Sequence, residues 1–325
     1  CGQRVVLFRG EDSKIRALDG FCPHMGADLS IGKVDGNLIR CFFHHWKFDS
    51  EGNCVDIPCG EKIPPRSKTQ GYAAADKYGF IWIYPDVNPP LGVPEYPELE
   101  GREVYFQSGR SFERPCHHHV TMINGIDAQH LRTVHNIPID MSLCVDESSN
   151  GAIIDYRLSC PWPKLDIKQR FIAWLVGGQY SYSMRYVQAS VGLLRVAEQV
   201  RWFSGKREAE PMRMIFAYTP LGPGRTGVQP IYIAEKTGGF FRRVKAQLIL
   251  LGMKLGFYYL RDEDGAIYEN IRFNPNALLK MDKGDRSAAV RESFLCVAKY
   301  LGFVRCTQPK VRIAGIFEYV ETVFG

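Results

Sequence analysis

The stretch that decides the fold is Cys22-Pro23-His24 and, 16 residues further on, Cys41-Phe42-Phe43-His44. Two short pairs, each holding one cysteine and one histidine, have metal-ligand spacing. Both pairs sit at β-rich runs, the first just after Ile15–Leu18 and the second in Leu38–Phe43. Tight turns are marked at Asp19-Gly20, Asp35-Gly36-Asn37 and Gly52-Asn53. Two assemblies suit such a donor set. Zinc takes two cysteines and two histidines in a tetrahedron. A [2Fe–2S] cluster can take both cysteines on one iron and both histidines on the other. The pairing favours the cluster, because two parallel loops would give each iron one kind of ligand. A zinc finger instead pairs Cys with Cys and places its His pair on a helix, whereas here both pairs lie among strands and turns.

The pattern C-x-H…C-x-x-H resembles the ligand motif of Rieske iron–sulfur domains. Pro23, Gly26 and Trp46 match the usual text of those loops. His45 departs from it, at a position commonly occupied by Gly, and is read as a surface variant rather than as a group that tunes the cluster.

A second constellation follows: Asn124-Gly-Ile-Asp127-Ala-Gln-His130-Leu-Arg-Thr-Val-His135. On a helix, Asp127 and His130 would share a face. His135 is reachable if the helix distorts near its end, where Pro138 lies just beyond. Two neutral imidazoles and one carboxylate make the facial triad of non-haem Fe(II) oxygenases, which leaves positions open for O2 and substrate. The alternative is a polar helix face with satisfied histidines. The carboxylate has several candidates: Asp262, Glu263, Asp264, Glu269, Asp282 and Asp285.

Taken together, the two constellations resemble the Rieske non-haem iron oxygenases, and the resemblance covers nearly the whole chain. It implies a terminal oxygenase component with a [2Fe–2S] cluster on Cys22, His24, Cys41 and His44, and a mononuclear Fe(II) on His130, His135 and Asp264. Asp264 is chosen because Asp264-Gly-Ala-Ile267-Tyr268 is similar to the family's ligand-bearing D-x-x-I-W/Y segment, with Asp262 the main rival. Asp127 would be an electron bridge to a cluster histidine of a neighbouring subunit, most simply His44, within a head-to-tail homotrimer. Its plain alternative is a helix-start acid favoured by the dipole. Asn124 would be a polar group near the iron. The text from Asp264 through Asn274-Pro275 looks most like the 3-ketosteroid 9α-hydroxylases and cholesterol 7-desaturases. Cys296 and Cys306 lack the CxxC of relatives that act on chlorophyll breakdown products.

The expected fold is α+β. An antiparallel all-β Rieske domain at 1–88 is followed by a proline-rich crossing segment at 89–110. A catalytic domain at 111–325 carries a helix-grip-like antiparallel sheet with helices. Strands are expected over 152–158, 168–176, 180–187, 193–203, 212–218 and 229–234, and helices over 120–136, 240–262 and 285–302. The aromatic residues Tyr186, Trp202 and Phe216 on those strands are candidates for a substrate pocket. The chain has 325 residues and a net charge of +6. Its basic residues are spread, with Arg242, Arg243 and Lys245 the densest spot, so a nucleic-acid partner is not expected. No export signal is seen, and ten cysteines at irregular spacing suit a reducing, cytoplasmic setting. The chain opens on Cys1, so a preceding segment is expected.

No nicotinamide or flavin fingerprint appears; Leu221-Gly-Pro-Gly lacks the strand–glycine–helix context. Electrons are therefore expected from a ferredoxin or an NAD(P)H-dependent reductase. The substrate is expected to be an apolar, polycyclic or steroid-like small molecule that is hydroxylated. Demethylation or desaturation would use the same site. A Rieske electron carrier needs no second constellation and far fewer residues, and a zinc module would lack sulfide. Two features stay apart from this reading. Cys116-His117-His118-His119 resembles a metal tract, but in a strand consecutive side chains would face opposite ways. The segment 239–260 is basic and then apolar, and is read as a core-facing helix rather than a membrane-touching one.

Overall fold

The computed structural model describes residues 4–60, 62–135, 142–147, 153–161, 170, 179–188, 190–197, 210–236, 238–271 and 322–323. The chain divides within the proline-rich stretch, one unit running to Val93 and the next beginning at Pro94.

The first unit is built from short antiparallel strands. β1 (Val5–Arg9) turns at Gly10–Lys14 into β2 (Ile15–Asp19), and β3 (Lys33–Asp35), β4 (Leu38–Arg40), β5 (Lys47–Phe48) and β6 (Cys54–Asp56) form a four-stranded meander. β7 (Gly71–Lys77) and β8 (Phe80–Tyr84) extend the β1–β2 sheet. The strand-forming residues of β1 are buried on both faces, as a central strand requires. Val6 and Phe8 join a core with Leu18, Ile39, Phe48, Cys22 and Cys41, while Leu7 faces Ala17, Tyr72 and Ile83. The expected strand Leu38–Phe43 is shorter, because Cys41–His44 leave the ladder to form a loop. Gly52 is needed where it stands: its φ is +83°, and a Cβ would meet the Thr69 carbonyl at 2.1 Å.

The second unit is dominated by one antiparallel sheet. β9 (Val104–Ser108) and β10 (Phe112–Arg114) precede two short helices, α1 (His118–Asn124) and α2 (Ala128–Thr133). Then come β11 (Ser142–Glu147), β12 (Ile153–Pro161), β13 (Gln179–Val187), β14 (Val191–Val196), β15 (Met212–Gly222) and β16 (Arg225–Glu235). The order is β10-β16-β15-β14-β13-β12-β11, and β9 shares the β16 edge with β10. The expected crossing segment therefore already contributes strand β9 to this sheet. Tyr96, fully buried, sets its hydroxyl 2.8 Å from the carbonyls of both Leu194 and Met214.

α3 (Phe240–Glu263) and α4 (Gly265–Glu269) follow, and Thr322–Val323 (β17) pairs with β1. Only one stripe of α3, carrying Ala246, Leu250 and Met253, faces the core. Leu248, Leu251, Leu255 and Tyr259 are exposed on the other side, so the core-facing reading of 239–260 holds for one face alone. Among the described residues no helix is long and apolar enough to cross a membrane. The expected helix at 120–136 is broken at Gly125–Asp127. Of the expected strand at 168–176 only Arg170 is among the described residues, and the expected helix at 285–302 lies outside them.

Candidate functional site

In the first unit, the two ligand loops are built alike. The amide of Cys22 donates to the Ala27 carbonyl at 2.8 Å, and that of Cys41 to the Trp46 carbonyl at 2.9 Å, each closing a loop five residues long. The fourth residue after each cysteine turns left-handed: Gly26 at φ +72° in the first loop, His45 at +60° in the second. Here is why the position favours glycine. His45 occupies a backbone conformation that side chains rarely adopt, though His tolerates it better than most residues. Both thiols point into the core, and His24 and His44 lie exposed, their rings 4.6 Å apart. Burial, with the Cys41 thiol beside it, pushes Cys22 up to about 11. The His24 ring stacks flat on Trp46, 4.3 Å between centroids and 5° between planes.

The second site lies in the second unit, between the short helices and the C-terminal end of α3. Asp127 is the N-cap of α2, its carboxylate accepting from the Gln129 amide at 2.8 Å. Its expected position on one helical face with His130 is thus replaced by a cap, because the chain turns at Gly125–Asp127. His130 sits in the last turn of α2, its Nδ1 against the Asp127 carbonyl. His135 comes just past the helix, with its side chain only 2% exposed. Asp264 occupies the joint between α3 and α4, closing α3 through a bond from its amide to the Leu260 carbonyl.

That joint brings His130, His135 and Asp264 together, each with a ligand atom within 4.8 Å of the others. His135 Nε2 is 3.2 Å from Asp264 Oδ1, an oxygen that is buried without a hydrogen-bond partner. Burial holds the His130 imidazole below its ordinary pKa, so it is neutral and able to ligate. Asp262, the rival, is 68% exposed and ion-paired with Arg261. Asp282 and Asp285 lie outside the described residues.

Sequence reasoning offers Glu263 only as a possible ligand and misses the part it plays beside His135. Glu263 accepts from His135 Nδ1 at 2.6 Å, and this bond holds the Glu263 carboxyl below its usual range. A carboxylate on one ring nitrogen fixes the tautomer and leaves the other nitrogen free for a metal. The chain distance of 128 residues between the two hides the pair from any local motif.

The triad opens into an apolar cavity of about 180 Å³, walled in part by Tyr182, Met184, Phe216 and Phe257. Asn124 lines it and donates from Nδ2 to the Tyr268 hydroxyl at 2.9 Å. Of the aromatic candidates, Phe216 is on the wall. Tyr186 shares a strand face with Tyr182 and Met184 but lies further along, beneath α1, where its hydroxyl donates to the Met122 carbonyl; it is core. Trp202 lies outside the described residues.

The histidine tract is not a strand. His117 is the N-cap of α1, and His118 and His119 fill its first turn, buried. Burial lowers His118 to about 3 and His119 to about 2, so both rings are neutral.

Fold and donor sets together define a class: an iron–sulfur domain joined to a sheet-and-helix domain with a two-histidine, one-carboxylate cluster. Residues 1–72 match the Rieske [2Fe-2S] domain, and longer stretches of the chain are similar in sequence to proteins named as oxygenases and desaturases. Cholesterol 7-desaturase nvd of Bombyx mori is 28% identical over 300 residues, 88% of this chain and 62% of that protein. A probable 3-ketosteroid-9-alpha-monooxygenase oxygenase component of Rhodococcus rhodochrous is 41% identical over 101 residues, 30% of this chain and 25% of that one. The chain thus spans less than two thirds of the length of these relatives. Among solved structures, NdmB of Pseudomonas putida CBB5 superposes with a TM-score of 0.58 at 19% identity, covering 98% of this chain and 88% of its own. Dicamba monooxygenase gives 0.54 at 18%, covering 92% and 91%. These two likenesses establish the fold, an α+β arrangement of antiparallel sheets with a few helices.

Proposed function

We propose that this chain is the terminal component of an O2-dependent oxygenase that attacks a C–H bond of an apolar, steroid-like small molecule, with electrons from a separate ferredoxin or reductase. The carrying observation is that one chain holds two separate donor sets, one of them opening into an apolar cavity. Both sets fit the groups they would hold. Cys22 and Cys41 would take one iron of the cluster and His24 and His44 the other; His130, His135 and the unpartnered Asp264 Oδ1 would take a single Fe(II). When bound, these groups supply single electrons and O2 activation.

The chain's own residues do the rest. Glu263 keeps the Nδ1 proton on His135, so that Nε2 stays a lone-pair donor beside Asp264. Tyr182, Met184, Phe216 and Phe257 exclude water and bind an apolar substrate by its surface. Asn124, held by Tyr268, offers a fixed polar group on that wall. Asp127 caps α2 through Oδ1, and its other oxygen is assigned the contact to a cluster histidine of a neighbouring copy in a homotrimer.

The activities named for the relatives, a cholesterol 7-desaturase and a 3-ketosteroid-9-alpha-monooxygenase, favour a steroid substrate and keep desaturation beside hydroxylation. A single-turnover assay decides. Reduced, iron-loaded protein is exposed to O2 with sterols, ketosteroids and smaller aromatics, and products are read by mass. Gain of an oxygen atom means hydroxylation, loss of a methylene means demethylation, and loss of a hydrogen pair means desaturation. Zinc in the purified protein with no acid-labile sulfide would overturn the reading.

A further inference from the structure

We propose that His117, His118 and His119 form a second metal site, distinct from the His130–His135–Asp264 cluster, that takes a borderline divalent cation such as Zn(II). Consecutive residues rarely converge. In a strand they alternate, and in a helix they fan out around the axis. Here the chain solves this at a helix start. His117 has the extended backbone of an N-cap (φ −68°, ψ 141°), and its Nδ1 accepts from the His119 amide at 3.3 Å. That bond folds the His117 ring back over the first turn, onto the two rings that follow, and a cation would take the Nδ1 lone pair in place of the amide.

The three rings meet pairwise, with centroids 4.3 Å apart for His117–His118, 4.6 Å for His117–His119 and 4.2 Å for His118–His119. Each offers a ring nitrogen within 4.8 Å of the others. A tetrahedral cation with bonds of about 2.0–2.1 Å needs donors roughly 3.4 Å apart. Small side-chain rotations close that gap. The independent sign of a ligand is His118 Nε2. It belongs to a side chain in a residue only 5% exposed, and it has no hydrogen-bond partner. A buried polar nitrogen left so is costly, and a cation would satisfy it. Three neutral imidazoles and no carboxylate select zinc, nickel, cobalt or copper over magnesium or calcium. The site would clamp the start of α1, the helix that carries Thr121 and Asn124 to the cavity wall.

The test uses the full chain, iron-loaded, and Zn(II) as the probe. Protein is incubated with Zn(II), passed through a desalting column, and analysed for zinc, iron and sulfide. The expected result is a retained equivalent of zinc in the parent protein and in Asp264→Ala, and its loss in His118→Gln, with the cluster's visible spectrum unchanged. Should His118→Gln fail to fold, the half-buried His117→Gln gives the same reading. Zinc retained equally by the His117 and His118 variants overturns the proposal. So does zinc that disappears in Asp264→Ala, since it would then belong to the other cluster. Neither result depends on whether the chain turns out to be an oxygenase.

Discussion

Removing the Glu263 carboxylate tests how the proposed mononuclear site is held. His135 is almost wholly buried, so its ring has few ways to be oriented other than by the bonds it makes. On one side Nδ1 gives its proton to Glu263 at 2.6 Å; on the other, Nε2 faces Asp264 Oδ1 at 3.2 Å. Without the carboxylate, the proton is free to move to Nε2, the nitrogen that must be bare to bind a metal, and the ring loses its rotational stop. Outer partners of this kind are worth about 10–100-fold in metal affinity. Glu263→Ala should therefore bind Fe(II), or Co(II) as a spectroscopic substitute, about 10–100-fold more weakly. Glu263→Gln, whose amide oxygen still accepts from Nδ1, should fall near the lower end of that range. The assay is competition with a metal chelator, followed by metal content and by the Co(II) visible bands. The cluster spectrum serves as the control for folding. Affinity in Glu263→Ala equal to the parent's would refute the argument, because it would show that His135 is oriented without the carboxylate.

Four further outcomes follow from the structure. Asp264→Ala should lose mononuclear iron while keeping the cluster's optical spectrum; unchanged iron content would move the ligand elsewhere. His45→Gly, which relieves a left-handed residue at φ +60°, should stabilise the first unit by about 0.5–1 kcal/mol in thermal unfolding, whereas His45→Ala should not. Tyr96→Phe strips the buried hydroxyl from the Leu194 and Met214 carbonyls and should cost about 1–3 kcal/mol in denaturant titration. The last concerns acid. Burial works to raise the Glu98 carboxyl, yet its own backbone amide and the guanidiniums of Arg213 (3.0 Å) and Arg195 (3.2 Å) hold it below its usual 4.5. The folded chain then binds fewer protons there than the unfolded one. The stabilisation is whole above pH 4.5 and lost as pH falls through the lowered value. Glu98→Gln should flatten that acid limb in a melting-temperature scan, and an unchanged slope would count against it.

What could be read from the sequence was local. The Cys22 and Cys41 loops are each closed by a bond spanning five residues, so their motif text and their geometry are nearly the same thing. His130 and His135 are likewise neighbours in the chain. Asp264 needed the resemblance to single it out, and Glu263 was weighed only as one ligand candidate among six. Its role as a hydrogen-bond partner depends on where α3 ends against the turn after α2, which no short pattern encodes. Alternation places Tyr186 on the pocket face of its strand but does not give the distance along it at which a helix covers that face. The histidine tract failed for the opposite reason. A strand period does not apply to residues that open a helix, with His117 serving as the cap.

The flat stack of Trp46 on His24 has an optical consequence. An indole in face-to-face contact with an imidazole loses fluorescence when that ring carries charge, and an iron–sulfur centre next to it absorbs in the range where indole emits. The chain has five tryptophans. With the other four replaced by phenylalanine, the emission of Trp46 would become a built-in lamp whose brightness tracks the state of the ring above it. Electron arrival at this end of the molecule could then be timed by stopped-flow light emission, without any added dye and without waiting for product.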